Sequence, residues 1–167
     1  MHYTYRSNPK SGLNNLCYPN FPPTLQLTAL AMNLKMIQWN IRGYYPQRPY
    51  LLSAIDSLNP HVIILQETHS KPHHHLSLPQ YHFPPARYDR RIRKGGGAAI
   101  FTHQSVPITD VPLDTSLEAC AIRVHTQHRP ITICSLYLAP DTPSNTLDQK
   151  LTELCQQLAT STLYSGN

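Results

Sequence analysis

Asn40 and Glu67 are the two residues whose placement first suggests chemistry. Each follows an apolar run, Leu34–Trp39 before the first and Val62–Gln66 before the second. An amide and a carboxylate emerging from the ends of two apolar segments are candidates to carry function. Plainer readings stand beside this one: Asn40 as a turn residue ahead of Gly43, and Glu67 as the acid where a strand surfaces. A second chemical feature is basic. Arg87, Arg90, Arg91, Arg93 and Lys94 stand against Asp89 alone, a charge of +4 in eight residues interleaved with Tyr88. Such a cluster fits contact with a phosphate backbone, which gives sequence-independent affinity that fades with salt; the plainer reading is a solvated charged loop.

The elements that must position these residues alternate between strand and helix patterns. Leu34–Trp39 reads as a strand running into the loop Asn40-Ile41-Arg42-Gly43. Leu51, Leu52, Ile55 and Leu58 share a helical face, with Pro49 near the first turn, where its missing N–H costs nothing. Asn59-Pro60 should stop that helix, and Val62–Gln66 is a short buried strand. The three form a βαβ unit whose right-handed crossover makes its strands parallel. Asn40 and Glu67 then share one carboxyl-end rim, the usual ligand side of an open α/β sheet. Residues 68–94, with Pro72, Pro79, Pro84 and Pro85, read as a long loop, functional or disordered.

Ala98–Thr102 is the next strand, entered through Gly95-Gly96-Gly97. The glycines lack the spacing of a nucleotide-binding loop and lead into a strand, so turn formation and close packing are expected of them. Cys120–Val124 and Ile131–Leu138 should pair as a hairpin. Leu147, Leu151, Leu154, Cys155 and Leu158 mark one face of a helix, with Ser144 or Asn145 as its N-cap.

Composition narrows the class. The chain has 167 residues, 14% charged and 40% hydrophobic, with a net charge of +5, which is a globular balance for about one domain. No apolar run is long enough to span a membrane. Cys17, Cys120, Cys134 and Cys155 lie too far apart for a cysteine zinc site. The polar N-terminus offers no signal peptide, so an intracellular, reduced protein is expected. Residues 1–31 carry four prolines, two basic residues and no acids; residues 1–33 are expected to be a disordered leader or upstream sequence, with Met32 as the start of the functional frame. His73-His74-His75 is not expected to hold a metal, because adjacent side chains diverge and lack partners at ligand spacing. There is no heptad seam or repeat, and no homo-oligomer is expected.

Four motifs in order carry a resemblance. They are Trp39-Asn40-Ile41-Arg42-Gly43, then Gln66-Glu67-Thr68, then Gly95-Gly96-Gly97-Ala98-Ala99-Ile100-Phe101, then Ser135-Leu136-Tyr137-Leu138-Ala139-Pro140. The chain from Leu34 onward resembles the endonuclease/exonuclease/phosphatase family, and within it the apurinic-type endonuclease domain of jockey-like non-LTR retrotransposons. The resemblance implies an α/β (α+β) fold, part of a four-layered α/β sandwich with mixed sheets. It implies Mg²⁺, or Mn²⁺, held through Glu67 and Asn40, with Asn40, Glu67 and Tyr137 as catalytic residues. DNA would be the partner and phosphodiester hydrolysis the reaction, nicking a strand to leave a 3′ hydroxyl. In the intact element a downstream reverse transcriptase would extend that end. Arg87, Tyr88, Arg90, Arg91, Arg93 and Lys94 would contact the DNA.

The family also continues into a Gly-Asp-Phe-Asn stretch and a later Ser-Asp-His stretch. Here Gly166 matches the glycine, Asn167 stands at the aspartate position, and the last motif is absent. Residues 34–167 are therefore expected to be an incomplete domain lacking its C-terminal part. Two alternatives remain: a catalytically inactive remnant that at most binds nucleic acid, and a phosphatase or phosphodiesterase of the same family with another substrate. The arginine-rich loop and the wording of the motifs weigh against the second.

Overall fold

The expected βαβ unit forms. Strand β1 (Met36–Asn40) lies parallel to β2 (Val62–Gln66), with Asn40 opposite Gln66, and helix α1 (Tyr44–Leu58) makes the crossover. These are features of a computed structural model that describes residues 34–89, 95–126, 129–140, 142 and 144–160. The leader expected over 1–33, the basic residues Arg90, Arg91, Arg93 and Lys94, and Asn167 lie outside the described residues.

Among the described residues the strands form two sheets. The first has the order β1-β2-β4-β3, with β3 at Ala86–Tyr88 and β4 at Ala98–Thr102; β4 is antiparallel to both its neighbours, so the sheet is mixed. The second is antiparallel throughout and runs β5 (Ile108–Val111), β6 (Glu118–Val124), β7 (Ile131–Tyr137). A turn of 3-10 helix at Ser144–Thr146 leads into helix α2 (Leu147–Thr160).

Strand periodicity explains the layers. In β2 and β4, Ile63, Leu65, Ala99 and Phe101 face α1, where Tyr44 and Leu51 are buried against them. Full burial of a side chain such as Leu51 contributes about 1.5–3 kcal/mol. Val62, Ala98 and Ile100 face the other way and meet Cys120, Ile122, Val124 and Ile133 of the second sheet. Strands apolar on both faces read as continuous hydrophobic runs, as β2 does. On the far side of the second sheet, Leu117 and Ala119 pack against Leu154, flanked by Leu147, Leu151 and Leu158. The order is helix, sheet, sheet, helix: the four layers expected, with mixed strand directions.

Several sequence expectations are corrected. Residues 68–94 are not a structureless loop: they include β3 and an isolated bridge from Tyr81 to His103, and they bury Leu76, Leu78 and Tyr81 in the core. A three-residue edge strand is too short to show a period, which is why it was invisible. Strand β5, bounded by Pro107 and Pro112, also went unread. Helix α1 starts at Tyr44, so Pro49 is interior rather than in the first turn, and Leu58 is exposed. Asn59 ends that helix as expected, in a left-handed conformation with its N–H on the Ile55 carbonyl at 2.8 Å. In α2, Cys155 is exposed rather than part of the packed face, and Ser144 and Asn145 lie in the 3-10 turn.

Cys120, Cys134 and Cys155 are free thiols; burial pushes Cys120 well up and Cys134 up to about 11. Among the described residues no helix is long and apolar enough to cross a membrane.

Candidate active site

Parallel pairing delivers the ends of β1 and β2 to the same rim, and the backbone there is locked. Ile41 donates to the Gln66 carbonyl at 2.9 Å, Gly43 to Glu67 at 2.8 Å and Tyr44 to Thr68 at 2.8 Å. The loop leaving β1 thus lies along the loop leaving β2. Three non-glycine residues on this rim adopt left-handed backbone: Arg42 (φ 49°), Glu67 (φ 51°) and His69 (φ 53°). Such conformations cost about 1–3 kcal/mol each and concentrate at functional sites.

The side chains converge. Asn40 Nδ2 donates to Glu67 Oε1 at 3.1 Å, and His69 Nε2 stands 3.8 Å from Glu67 Oε2. Asn40's hydrogen bond, above all, holds the Glu67 carboxyl below the usual carboxylate range. Desolvation works against this, while a hydrogen bond from Tyr137 and the charges of His69 and Arg42 add to it. Glu67 is therefore an anion at neutral pH, with its side chain 23% exposed.

Tyr137 arrives from the other sheet. Ser135 Oγ, two residues earlier on β7, donates to the Leu65 carbonyl of β2 at 3.0 Å inside the core. Alternate strand residues share a face, so the bond that anchors Ser135 also aims Tyr137 at the rim. The three residues singled out from sequence, Asn40, Glu67 and Tyr137, are brought together.

The glycine run has a structural task here. His69 N–H donates to the Gly96 carbonyl at 2.9 Å and Thr68 N–H to the Gly97 carbonyl at 3.3 Å. Gly97 (φ 90°) donates its own N–H to Glu118 Oε2 at 2.7 Å, and a Cβ there would lie 2.6 Å from Thr68 Oγ1. Only glycine allows β4 to approach and clasp the segment that presents Glu67. Below it, Thr68 Oγ1 and Ser70 Oγ share a buried hydrogen bond at 3.0 Å, and Ser70 Oγ donates to Asp89.

The basic cluster divides. Arg87 extends from β3 with its guanidinium engaged, on the His74 carbonyl at 2.7 Å, the Pro72 carbonyl at 2.9 Å and Asp89 at 2.9 Å. Tyr88 is half-buried beside the core between the sheets. His69, Glu118 and Ser135 were missed by sequence reasoning. His69 sits one residue past Gln66-Glu67-Thr68, and that proximity is the one signal that could have flagged it.

The donor set suits a hard divalent ion. With Asn40 donating through its nitrogen, its Oδ1 and the Glu67 carboxylate remain as oxygen donors, which fits an ion that takes one or two protein oxygens and keeps its waters. Among the described residues no three His, Cys, Asp or Glu side chains gather as a metal cage.

The model of the "Endonuclease/Exonuclease/phosphatase family" matches residues 37–162. The endonuclease domain of TRAS1, a telomere-specific non-LTR retrotransposon, aligns with 71% of this chain and 52% of its own, at 16% identity and TM-score 0.57. The human Nocturnin catalytic domain aligns with 78% of this chain and 60% of its own, at 18% identity and TM-score 0.56. The Xenopus laevis APE2 catalytic domain aligns with 80% and 55%, at 20% identity and TM-score 0.54. These are likenesses of fold, and the chain spans between half and two-thirds of each structure. No curated protein sequence matches. Since the family model runs from β1 to the end of α2, the chain belongs to the endonuclease/exonuclease/phosphatase family.

Proposed function

We infer that this chain provides the metal-binding part of a Mg²⁺-dependent nuclease site that hydrolyses a phosphodiester of DNA. The observation that carries the reading is the convergence of Asn40, Glu67 and Tyr137 on one rim, with the Glu67 carboxyl held ionised mainly by Asn40. Glu67 and Asn40 Oδ1 would hold the cation; Mn²⁺ offers the same ligand chemistry. When bound, the ion would neutralise charge on the phosphate and assist departure of the 3′ oxygen.

The chain's own residues prepare that step. Glu67 presents its carboxylate at a fixed angle, because its backbone is clasped between Gly43 on one side and the loop carrying Gly96 and Gly97 on the other. Tyr137's phenol is an O–H donor at the place where negative charge develops on the phosphate. Other acids close to the rim are engaged, Glu118 by Gly97 and Asp89 by Ser70 and Arg87. Arg90, Arg91, Arg93 and Lys94, with Tyr88, are proposed to track the phosphate backbone, while Arg87 braces the turn at Pro72 and His74.

The fold likeness to a retrotransposon endonuclease, together with the four motifs, supports a role in strand nicking for target-primed reverse transcription. A jockey-like element, with a reverse transcriptase as the downstream partner, is the setting proposed. The test is nicking of supercoiled plasmid by this chain in Mg²⁺. Conversion to open circle, abolished by chelation and by Glu67→Gln, would carry the nuclease reading. DNA binding without nicking, unchanged by Glu67→Gln, would establish the binding-only remnant instead.

A further inference from the structure

His73-His74-His75 has no part in the site described above, yet the turn that carries it is unusually well braced. His74 N–H donates to the Lys71 carbonyl at 2.8 Å, and Lys71 N–H returns a bond to His74 Nδ1 at 3.1 Å. Three carbonyls of the turn are then held from other elements. Arg87 of β3 takes those of Pro72 and His74, and the Tyr45 hydroxyl of α1 donates to that of His75 at 3.2 Å. The backbone is fixed while the rings remain available: Tyr45 is 48% exposed and His73 is exposed.

These rings continue a row that starts in the core. Phe101 stacks on Tyr44 at 5.8 Å, Tyr44 meets Tyr45 edge-on at 5.4 Å, Tyr45 meets His74 at 5.3 Å, and His74 meets His73 at 4.6 Å. The buried end is anchored by two side chains with 1% exposure or less, and the outer end opens to solvent. No acid lies between Lys71 and Leu76.

Position matters as much as composition. Tyr45 follows Tyr44, whose N–H is bonded to Thr68, and Gly43, whose N–H is bonded to Glu67. Two residues span at most about 7 Å of chain, so the Tyr45 backbone lies beside the bond that ties Gly43 to Glu67. A braced aromatic surface beside the rim suits the face of a nucleobase, since every base offers a π face whatever its identity.

We propose that the exposed rings of Tyr45 and His73, each set edge-on to His74 between them, form a stacking shelf for a base of the bound DNA strand, beside the rim that carries Glu67. The proposal rests on the nuclease reading of Glu67 and Asn40, and it adds a contact to the base where that reading has contacts only to phosphate. The shelf fixes where along the strand the phosphate lies, and its sequence preference is weak.

The test compares two fluorescein-labelled oligonucleotides of equal length, one ordinary single-stranded DNA and one abasic throughout, by fluorescence anisotropy with the full chain. His73→Ala and Tyr45→Leu are each expected to weaken binding of the ordinary strand about tenfold and to leave the abasic strand unaffected. Tyr45→Phe, which keeps the ring and loses the bond to His75, should bind as the unmutated chain does. Thermal melting shows that the variants fold. Equal loss on both strands, no loss on either, or a Tyr45→Phe defect as large as that of Tyr45→Leu overturns the shelf. Plasmid nicking that persists without these effects leaves the nuclease reading intact and removes the shelf alone. A chain that binds neither strand overturns the shelf and the DNA reading together.

Discussion

Glu67 reaches the rim from a backbone conformation that glutamate ordinarily avoids, and Asn40 sets its protonation. Because that hydrogen bond favours the ionised form, its loss should raise the carboxyl back toward the ordinary 4.5. In Asn40→Ala the acid limb of Mg²⁺ affinity, followed by calorimetric titration, is expected to move to higher pH, and an unmoved limb would count against the arrangement. The linkage to stability has the same origin. A depressed carboxyl pKa stabilises the fold fully above the unfolded value of 4.5, and this is lost as pH falls through the folded value. Solvent screens a partly exposed group, so the effect on stability should be small beside the effect on the metal. Asn40 and Glu67 were legible from sequence because each ends a strand whose apolar run can be counted. Tyr137 was legible only through the motif Ser135–Pro140. His69 was not legible, because its approach to Glu67 depends on a left-handed turn that no period records.

At the scale of elements, the glycine run and the segment after β2 form one unit. A strand period and a helix period can be read for β2 and α1, but the clasp between Gly96-Gly97 and Thr68-His69 is a pairing of loops, with no pattern in either sequence. The same holds for β3, whose place in the sheet comes from its register with Ala98, Ala99 and Ile100. Gly97→Ala tests the clasp. Its φ of 90° lies in the region that L-residues avoid, at a cost of roughly 1–2 kcal/mol, and the added methyl would meet Thr68 Oγ1 at 2.6 Å. Urea unfolding should show a destabilisation of about 1–2 kcal/mol or more, and nicking should fall further than stability alone explains, because the displaced segment is the one presenting Glu67. Full stability in Gly97→Ala would show that the clasp tolerates a side chain.

Across the whole molecule, the end opposite the rim gathers histidines. His61 precedes β2, His103 follows β4 and His125 follows β6. His61 Nδ1 accepts from the Lys35 N–H at 3.0 Å, its own N–H donates to the Lys35 carbonyl, and its carbonyl accepts from His103, so β1, β2 and β4 are tied at this point. Burial lowers all three pKa values below 6.5; Lys35, His82, His103 and Arg123 add repulsion within the set. The sign follows. Above the unfolded value near 6.5 these rings are neutral in both states and stability is complete. As pH falls below it, the unfolded chain gains protons first, and stability drops until the folded values are passed. Melting temperature should therefore decline between about pH 7 and 5, and His61→Gln should flatten that decline. A melting temperature independent of pH over this range would contradict the assignment.

The Ser135 hydroxyl, bonded to Leu65, is a buried cross-tie between the strand that carries Tyr137 and the strand that leads to Glu67. Neither sheet holds the whole site, so the spacing of the sandwich doubles as the alignment of the site. A small slip between the layers could leave both cores packed and both sheets hydrogen-bonded while parting the phenol from the carboxylate.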